Sequence, residues 1–264
     1  MVDDEVDLWA TRLTGTDGLI RALNETLSPD ERQRAQAFVF DRHRNNFIIA
    51  RGLLRAILGS YLQQPPDCIE LEAGAKGKPA LRGRPRLLHF NLTHSDDCVL
   101  FAVTREHEIG VDVERVRTLP DADAIAARYF AAGEVADLRR VPAEQRPEAF
   151  FNCWTRKEAY VKAVGEGLGL PLHTFQVSLI PGQPAAFLSL DADRISIADW
   201  TLVHLAPFEG YVGALAASWR DCLVVERTFP SAEACLRYVS NDRSVQPLTH
   251  SDQDRAAVIR SPER

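Results

Sequence analysis

Several things are missing from this 264-residue sequence, and each absence removes a class of protein. No apolar run approaches the roughly 20 residues that a membrane helix needs. The N-terminus, MVDDEVDLW, lacks the basic-then-apolar order of a secretory signal, so a cytoplasmic chain with no membrane contact is expected. The five cysteines, Cys68, Cys98, Cys153, Cys222 and Cys235, are scattered and odd in number, and none forms a C-x-x-C pair. Neither a zinc site nor a disulfide framework is indicated. An excess of positive charge is lacking too. The formal net charge is -6, which argues against a protein that coats nucleic acid through its bulk charge. No residue-level repeat is strong enough to establish internal duplication.

What remains is an ordinary globular balance, 45% hydrophobic and 26% charged, in a chain long enough for one large domain or two modest ones. Val6 to Leu13 reads as a strand. Ser28-Pro29-Asp30-Glu31 is a helix start, with serine as cap, proline in the first turn and Glu31 closing a capping box. That helix is expected to run to about Phe40, and a second over Phe47 to Leu62, where Pro65-Pro66 stops it. Short strands are expected at Ile69–Leu71, Leu88–Leu92, Val99–Val103 and Ile109–Glu114. A helical region over Asp121–Arg140 and a helix over Glu148–Val164 follow. Strands at Phe175–Leu179, Trp200–His204 and Tyr211–Ala217 come next. Two helical pairs, each followed by strands, predict an α+β fold of two halves meeting near residue 110. From Ser240 the tail is polar and expected to be loose.

Three segments can carry chemistry. In Ile109-Gly110-Val111-Asp112-Val113-Glu114, strand alternation puts Asp112 and Glu114 on one face and the valines on the core face. Paired carboxylates with no softer ligand nearby suit a hard cation such as Mg²⁺. Gly110, with no side chain, leaves room for a substrate to approach the backbone. Alone, a D-x-E is more often a solvated strand face. Trp154, Glu158 and Lys162, spaced by four, share one helix face, although an isolated Glu–Lys pair is more often a surface ion pair. Gly165-Glu166-Gly167 ends that helix. Asn91-Leu92-Thr93-His94-Ser95 closes a strand with hydroxyls and an imidazole, groups that bind phosphate and equally well cap a turn. Lys76-Gly77-Lys78, Arg51 with Arg55, and Arg42 with Arg44 add cations that together suit a small polyphosphate.

In that order and spacing, G-V-D-V-E followed about 40 residues later by W-T-R-K-E-A-Y-V-K resembles the paired signature of the phosphopantetheinyl transferase superfamily. G-K-P and N-L-T-H-S upstream resemble further motifs of its larger, Sfp-type branch. The resemblance implies two similar α/β-type halves related by a pseudo-twofold, with the active site at their interface. It divides the chain into 1–110 (coenzyme A binding), 111–227 (metal site and signature helix) and an extension, 228–264, partly flexible. It implies transfer of 4′-phosphopantetheine from coenzyme A to a serine of an apo acyl, peptidyl or aryl carrier protein by a monomer, with Mg²⁺ or Mn²⁺. Asp112, Glu114 and Glu158 become metal ligands. Glu158 is the base, directly or through a metal-bound water, Lys162 assists the leaving group, and Asp112 completes the catalytic set. Arg51, Lys78, Thr93, His94, Lys157 and Lys162 hold coenzyme A phosphates. Arg128, Arg139 and Arg140, beside Tyr129 and Phe130, are candidates for carrier docking. Asp96 departs from the family pattern, standing where glycine is common. Two rivals predict different behaviour: another Mg²⁺-dependent phosphohydrolase or nucleotidyl transferase, and a non-catalytic module that binds carrier proteins.

Overall fold

A computed structural model describes residues 5–74, 77–83, 88–105, 107–165, 169–190, 196–241 and 256–259. Strand β1 (Glu5–Arg12) leads into α1 (Asp17–Glu25), α2 (Pro29–Gln36) and the long α3 (Asp41–Leu62). A small pair, β2 (Leu71–Ala73) and β3 (Pro79–Leu81), precedes β4 (His89–Ser95), β5 (Cys98–Thr104) and β6 (Ile109–Arg115). Then come α4 (Ala122–Tyr129), α5 (Ala132–Arg140) and the second long helix, α6 (Arg146–Val164). A two-stranded pair, β7 (Gln176–Val177) and β8 (Phe187–Ser189), is followed by β9 (Thr201–Leu205), β10 (Tyr211–Ala217), β11 (Leu223–Phe229), α7 (Ala232–Asn241) and β12 (Ala256–Ile259).

The strands form two principal sheets, ordered β12-β11-β1-β5-β4 and β6-β10-β9. Strand alternation explains how they stack. Val99, Phe101 and Val103 of β5 face the helices α1, α3 and α7, while Cys98, Leu100 and Ala102 face the other sheet. There they meet Ile109, Val111 and Val113 of β6 and Leu215 and Ala217 of β10. On its far side β10 offers Val212, Ala214 and Ala216 to α6. The result is helix, sheet, sheet, helix: two halves, each with a long helix laid across its own sheet, joined by a shared apolar layer. This is the expected α+β architecture.

Details depart from expectation for physical reasons. The capping box at Ser28 and Glu31 forms, yet α2 stops at Gln36 and α3 begins at Asp41 rather than Phe47. The single helical region over 121–140 breaks at Phe130 and Ala131. Phe130 turns inward to 3% exposure, and the Glu134 carboxylate accepts from the Ala131 amide to start α5. The boundaries expected after residues 110 and 227 both fall inside strands, β6 and β11. β11 runs parallel to β1 in the first sheet, and Ala232, Cys235 and Val239 of α7 enter the same core as α3. The start of the expected extension is therefore built into the N-terminal half. Within the expected loose tail, Ser240 and Asn241 end α7 and 256–259 pair with β11, while 242–255 and 260–264 lie outside the described residues.

Candidate active site

The site lies where the two sheets adjoin, along β4 and β6. Thr93 meets Asp112 and Ser95 meets Glu114, each pair 19 residues apart, a constant offset that marks strands running in the same direction. Asn91, one step earlier on the same face of β4, accepts from the Val111 amide through Oδ1 (2.8 Å). Side chains of β4 thus dock onto β6 and hold its acids in register.

Asp112 is buried at 6% exposure. Its Oδ1 accepts from the Thr93 hydroxyl (3.0 Å) and from Lys162 Nζ (2.6 Å), while the buried Oδ2 has no hydrogen-bond partner. Burial pushes this carboxyl's pKa up against the pull of Lys162. Glu114 accepts from the Ser95 hydroxyl (2.7 Å) and from Arg117 (3.4 Å). Glu158, on α6, has its pKa raised by burial and then by the charge of Asp112. The three acids therefore bear on one another.

α6 reaches the acids because β6 presents a glycine to it. A Cβ on Gly110 would lie 2.1 Å from the Ala159 carbonyl oxygen and 2.4 Å from the Ala163 amide nitrogen. The room at Gly110 is taken by the helix backbone and not by a substrate, which corrects the sequence reading. This contact lets Lys162 donate to Asp112, to Thr93 Oγ1 (3.3 Å) and to the Val111 carbonyl (3.3 Å).

The expected phosphate ligands divide. Thr93 is buried in the cluster, and His94 is exposed beside it. The surrounding protein shields the imidazole in part even so, and this loss of solvation, with the charge of Lys162, lowers the His94 pKa and biases it toward the neutral form. Lys78 donates to Glu108, to the Ile109 carbonyl and to the Lys162 carbonyl, each at 3.1 Å. Its three N–H groups are thus occupied near the end of α6. Lys76 lies outside the described residues, as do Glu166 and Gly167. Arg51 pairs with Glu31 (3.3 Å), and its buried Nη1 has no partner. Burial lowers the Arg51 pKa.

Lys157 is a clear correction. It is fully buried, with Nζ donating to the Leu172 and Phe175 carbonyls (2.7 Å each) and paired with Glu134 (2.8 Å). No donor is left for a phosphate. One residue is a 100° step around a helix, so Lys157 points into the core while Glu158 faces the acids. The sequence held the signal: Phe150, Cys153, Lys157 and Tyr160 follow the spacing of the buried stripe. Asn91 was missed as a site element, although its place two residues before Thr93 puts both on one strand face.

Among the described residues, no group of three His, Cys, Asp or Glu side chains is gathered closely enough to hold a metal ion. The donors nonetheless fit a hard divalent cation. Asp112 Oδ2 is buried and unpartnered, and the neighbouring groups are carboxylates and hydroxyls rather than thiols.

Comparison with known proteins covers both halves. Residues 15–106 match the family described as 4′-phosphopantetheinyl transferase, N-terminal, and residues 108–216 match the 4′-phosphopantetheinyl transferase superfamily. The 4′-phosphopantetheinyl transferase HetI of Nostoc sp. is 38% identical over 220 residues, 83% of this chain and 90% of that protein. The transferase psf-1 of Bacillus pumilus is 35% identical over 61% of this chain and 67% of its own. The transferase Sfp of Bacillus subtilis is 30% identical over 58% of this chain and 66% of its own.

Proposed function

The chain belongs to the 4′-phosphopantetheinyl transferase superfamily, and we propose that the acids and Lys162 between its halves move the 4′-phosphopantetheine arm of coenzyme A onto a carrier-protein serine. One observation carries the assignment of the site. The buried Asp112, with one oxygen bound to Thr93 and Lys162 and the other free, lies at the seam of the two matched segments.

The chemistry needs three things. The serine hydroxyl must lose a proton as its oxygen bonds to the β-phosphorus. The bond from that phosphorus to the bridging oxygen must break. The departing adenosine 3′,5′-bisphosphate must be stabilised. Glu158 suits the first task, since burial and Asp112 raise its affinity for a proton. Lys162 suits the last, because its ammonium is held at the seam and can donate to the leaving oxygen. Thr93 fixes the Asp112 carboxylate and accepts from Lys162, which keeps both oriented. Asp112, Glu114 and Glu158 are the groups that would hold Mg²⁺ or Mn²⁺, which when bound supplies charge neutralisation on the pyrophosphate.

The partners follow from the same reading. Of the phosphate ligands, this reading retains His94 and Arg51. Lys78 reaches a phosphate only by leaving its present acceptors. Carrier docking falls to the exposed Tyr129, whose ring lies under the Arg128 guanidinium (5.2 Å), and to Arg139 and Arg140, exposed at the end of α5. Phe130 is removed from that surface by its burial. The protein is read as a cytoplasmic monomer, and no helix among the described residues is long and apolar enough to cross a membrane.

Intact mass spectrometry of an apo acyl or peptidyl carrier protein, incubated with this protein, coenzyme A and Mg²⁺, tests the reading. The expected result is a gain of about 340 Da that EDTA abolishes. Asp112→Ala should slow that gain by a factor of about 10³ while the variant still melts cooperatively. No gain with any carrier class, or full activity of Asp112→Ala, overturns it.

A further inference from the structure

The turn between β4 and β5 carries two consecutive acids that draw partners from both halves. Asp96 accepts from Arg42, at the start of α3, and from Arg115 at the end of β6 (2.5 Å). Its backbone carbonyl accepts from Asn46 (3.2 Å). Asp97 takes Arg12 (2.8 Å) and the Tyr211 hydroxyl. Asp96 has a φ of +53°, in the left-handed region that glycine enters freely and asparagine tolerates. The bend of the turn therefore does not require a carboxylate, and the reason for one lies in what it touches.

Asp96, Arg42, Asn46 and Arg115 line an open cleft of about 680 Å³. The cleft adjoins the site by chain and by contact. Ser95, just before Asp96, holds Glu114, and Arg115 follows Glu114 and donates its amide to the Ser95 hydroxyl (3.2 Å). Arg42 precedes His43, whose charge bears on His94. The Arg42 and Arg115 side chains are 64% and 58% exposed, so either can swing to a new partner without disturbing the core.

We propose that Asp96 is an internal counter-anion that occupies Arg42 and Arg115 in the free protein and competes with the substrate's phosphates for them. It would thereby set affinity for the anionic substrate and its dependence on salt. This deepens the reading of coenzyme A as substrate and rests on it. An exposed ion pair is worth little, so the effect is a tuning of affinity rather than a switch.

Calorimetric titration of coenzyme A into the wild-type protein, Asp96→Asn and Asp96→Gly, at low and high NaCl, tests the proposal. Both variants should bind about threefold more tightly at low salt, the span of one exposed pair. The gain should shrink as NaCl rises toward roughly 0.5 M. Adding Arg42→Gln to Asp96→Asn should cancel part of it, and uncharged pantetheine should respond to none of these changes. Unchanged or weaker binding by folded Asp96 variants overturns the proposal alone. Should those variants fail to fold, Arg42→Gln and Arg115→Gln decide, and coenzyme A affinity indifferent to both overturns it. A wild-type protein that binds no coenzyme A overturns the substrate reading and this proposal together.

Discussion

The two long helices do the same architectural work with different chemistry. α3 lies on the five-stranded sheet and buries Ile49, Leu53, Leu54, Ile57 and Leu58, with one charged exception, Arg55, which donates to Glu31 and to the Pro66 and Ile69 carbonyls. α6 lies on the three-stranded sheet, yet buries Asn152, Thr155, Arg156 and Lys157 as well as Phe150, Phe151 and Tyr160. Arg156, at 1% exposure, donates to the Ser178 carbonyl (2.6 Å), and burial lowers its pKa to about 10. Lys157 and Glu134 close a network in which the carboxylate also accepts from the Ala131 and Val177 amides. An apolar face fixes a helix's depth and leaves its roll about the axis less tightly defined. Directional bonds fix the roll. On α6 the roll decides whether Glu158 and Lys162 meet Asp112, whereas the bonds of Arg55 on α3 run to α2 and to the turn after α3, away from the acids.

The largest effects should come from breaking what only α6 has. Gly110→Ala puts a methyl group into the α6 backbone, where neither a carbonyl nor an amide can yield without shifting the helix. Loss of a cooperative thermal transition in the C-terminal half is expected, read by calorimetry, and a wild-type melting profile would refute the close packing. Lys157→Met should cost about 3–5 kcal/mol in urea unfolding, because Glu134 is left charged and buried. In preparations that remain folded, turnover should fall with it as α6 loses its anchor. A loss below about 1 kcal/mol would mean the pair is not the buried network described. On α3, Leu53→Ala should cost about 2–4 kcal/mol from the cavity alone. With the fold rescued by low temperature, its transfer rate should stay near wild type. A turnover loss as large as that of Lys157→Met would erase the distinction between the helices.

That distinction was only half visible in the linear sequence. The α2 capping box, the alternation that sets Asp112 and Glu114 apart from Val111 and Val113, and the Glu158–Lys162 face were legible, because each is a local rule of period two or four. α1 went unread although Thr16 caps it, since its two buried leucines, Leu19 and Leu23, make a short signal. β11 went unread across the boundary at residue 227, and α7 was assigned to an extension because the family resemblance ends there. Only the long-range pairing of β11 with β1, and of Arg227 with Asp7, shows that they complete the first sheet. Lys157 was read as a ligand from its place in the family motif. Its place in the apolar stripe was visible, but its acceptors come from the turn at Leu172–Phe175 and from α5, which periodicity cannot supply. The fit of Gly110 against a helix backbone is likewise a tertiary fact with no local mark.

The smallest expected effect sharpens the comparison from the other side. Burial and the Asp112 charge raise the Glu158 pKa, so the folded protein holds that proton more tightly than the unfolded chain does. Ionising Glu158 therefore subtracts stability as pH rises through the unfolded value and on through the folded one. Below both values the side chain is neutral in either state and nothing is lost. Glu158→Gln cannot ionise, so without metal at neutral pH it should melt about 2 °C above wild type, with the gap closing below roughly pH 4. No counterpart on the apolar face of α3 can show that behaviour. Millimolar Mg²⁺ should reverse the order, since a ligand bound only by the folded wild type raises its melting temperature by mass action. A Glu158→Gln variant that melts below wild type in EDTA, or that gains as much from Mg²⁺, would show that Glu158 is an ordinary surface acid.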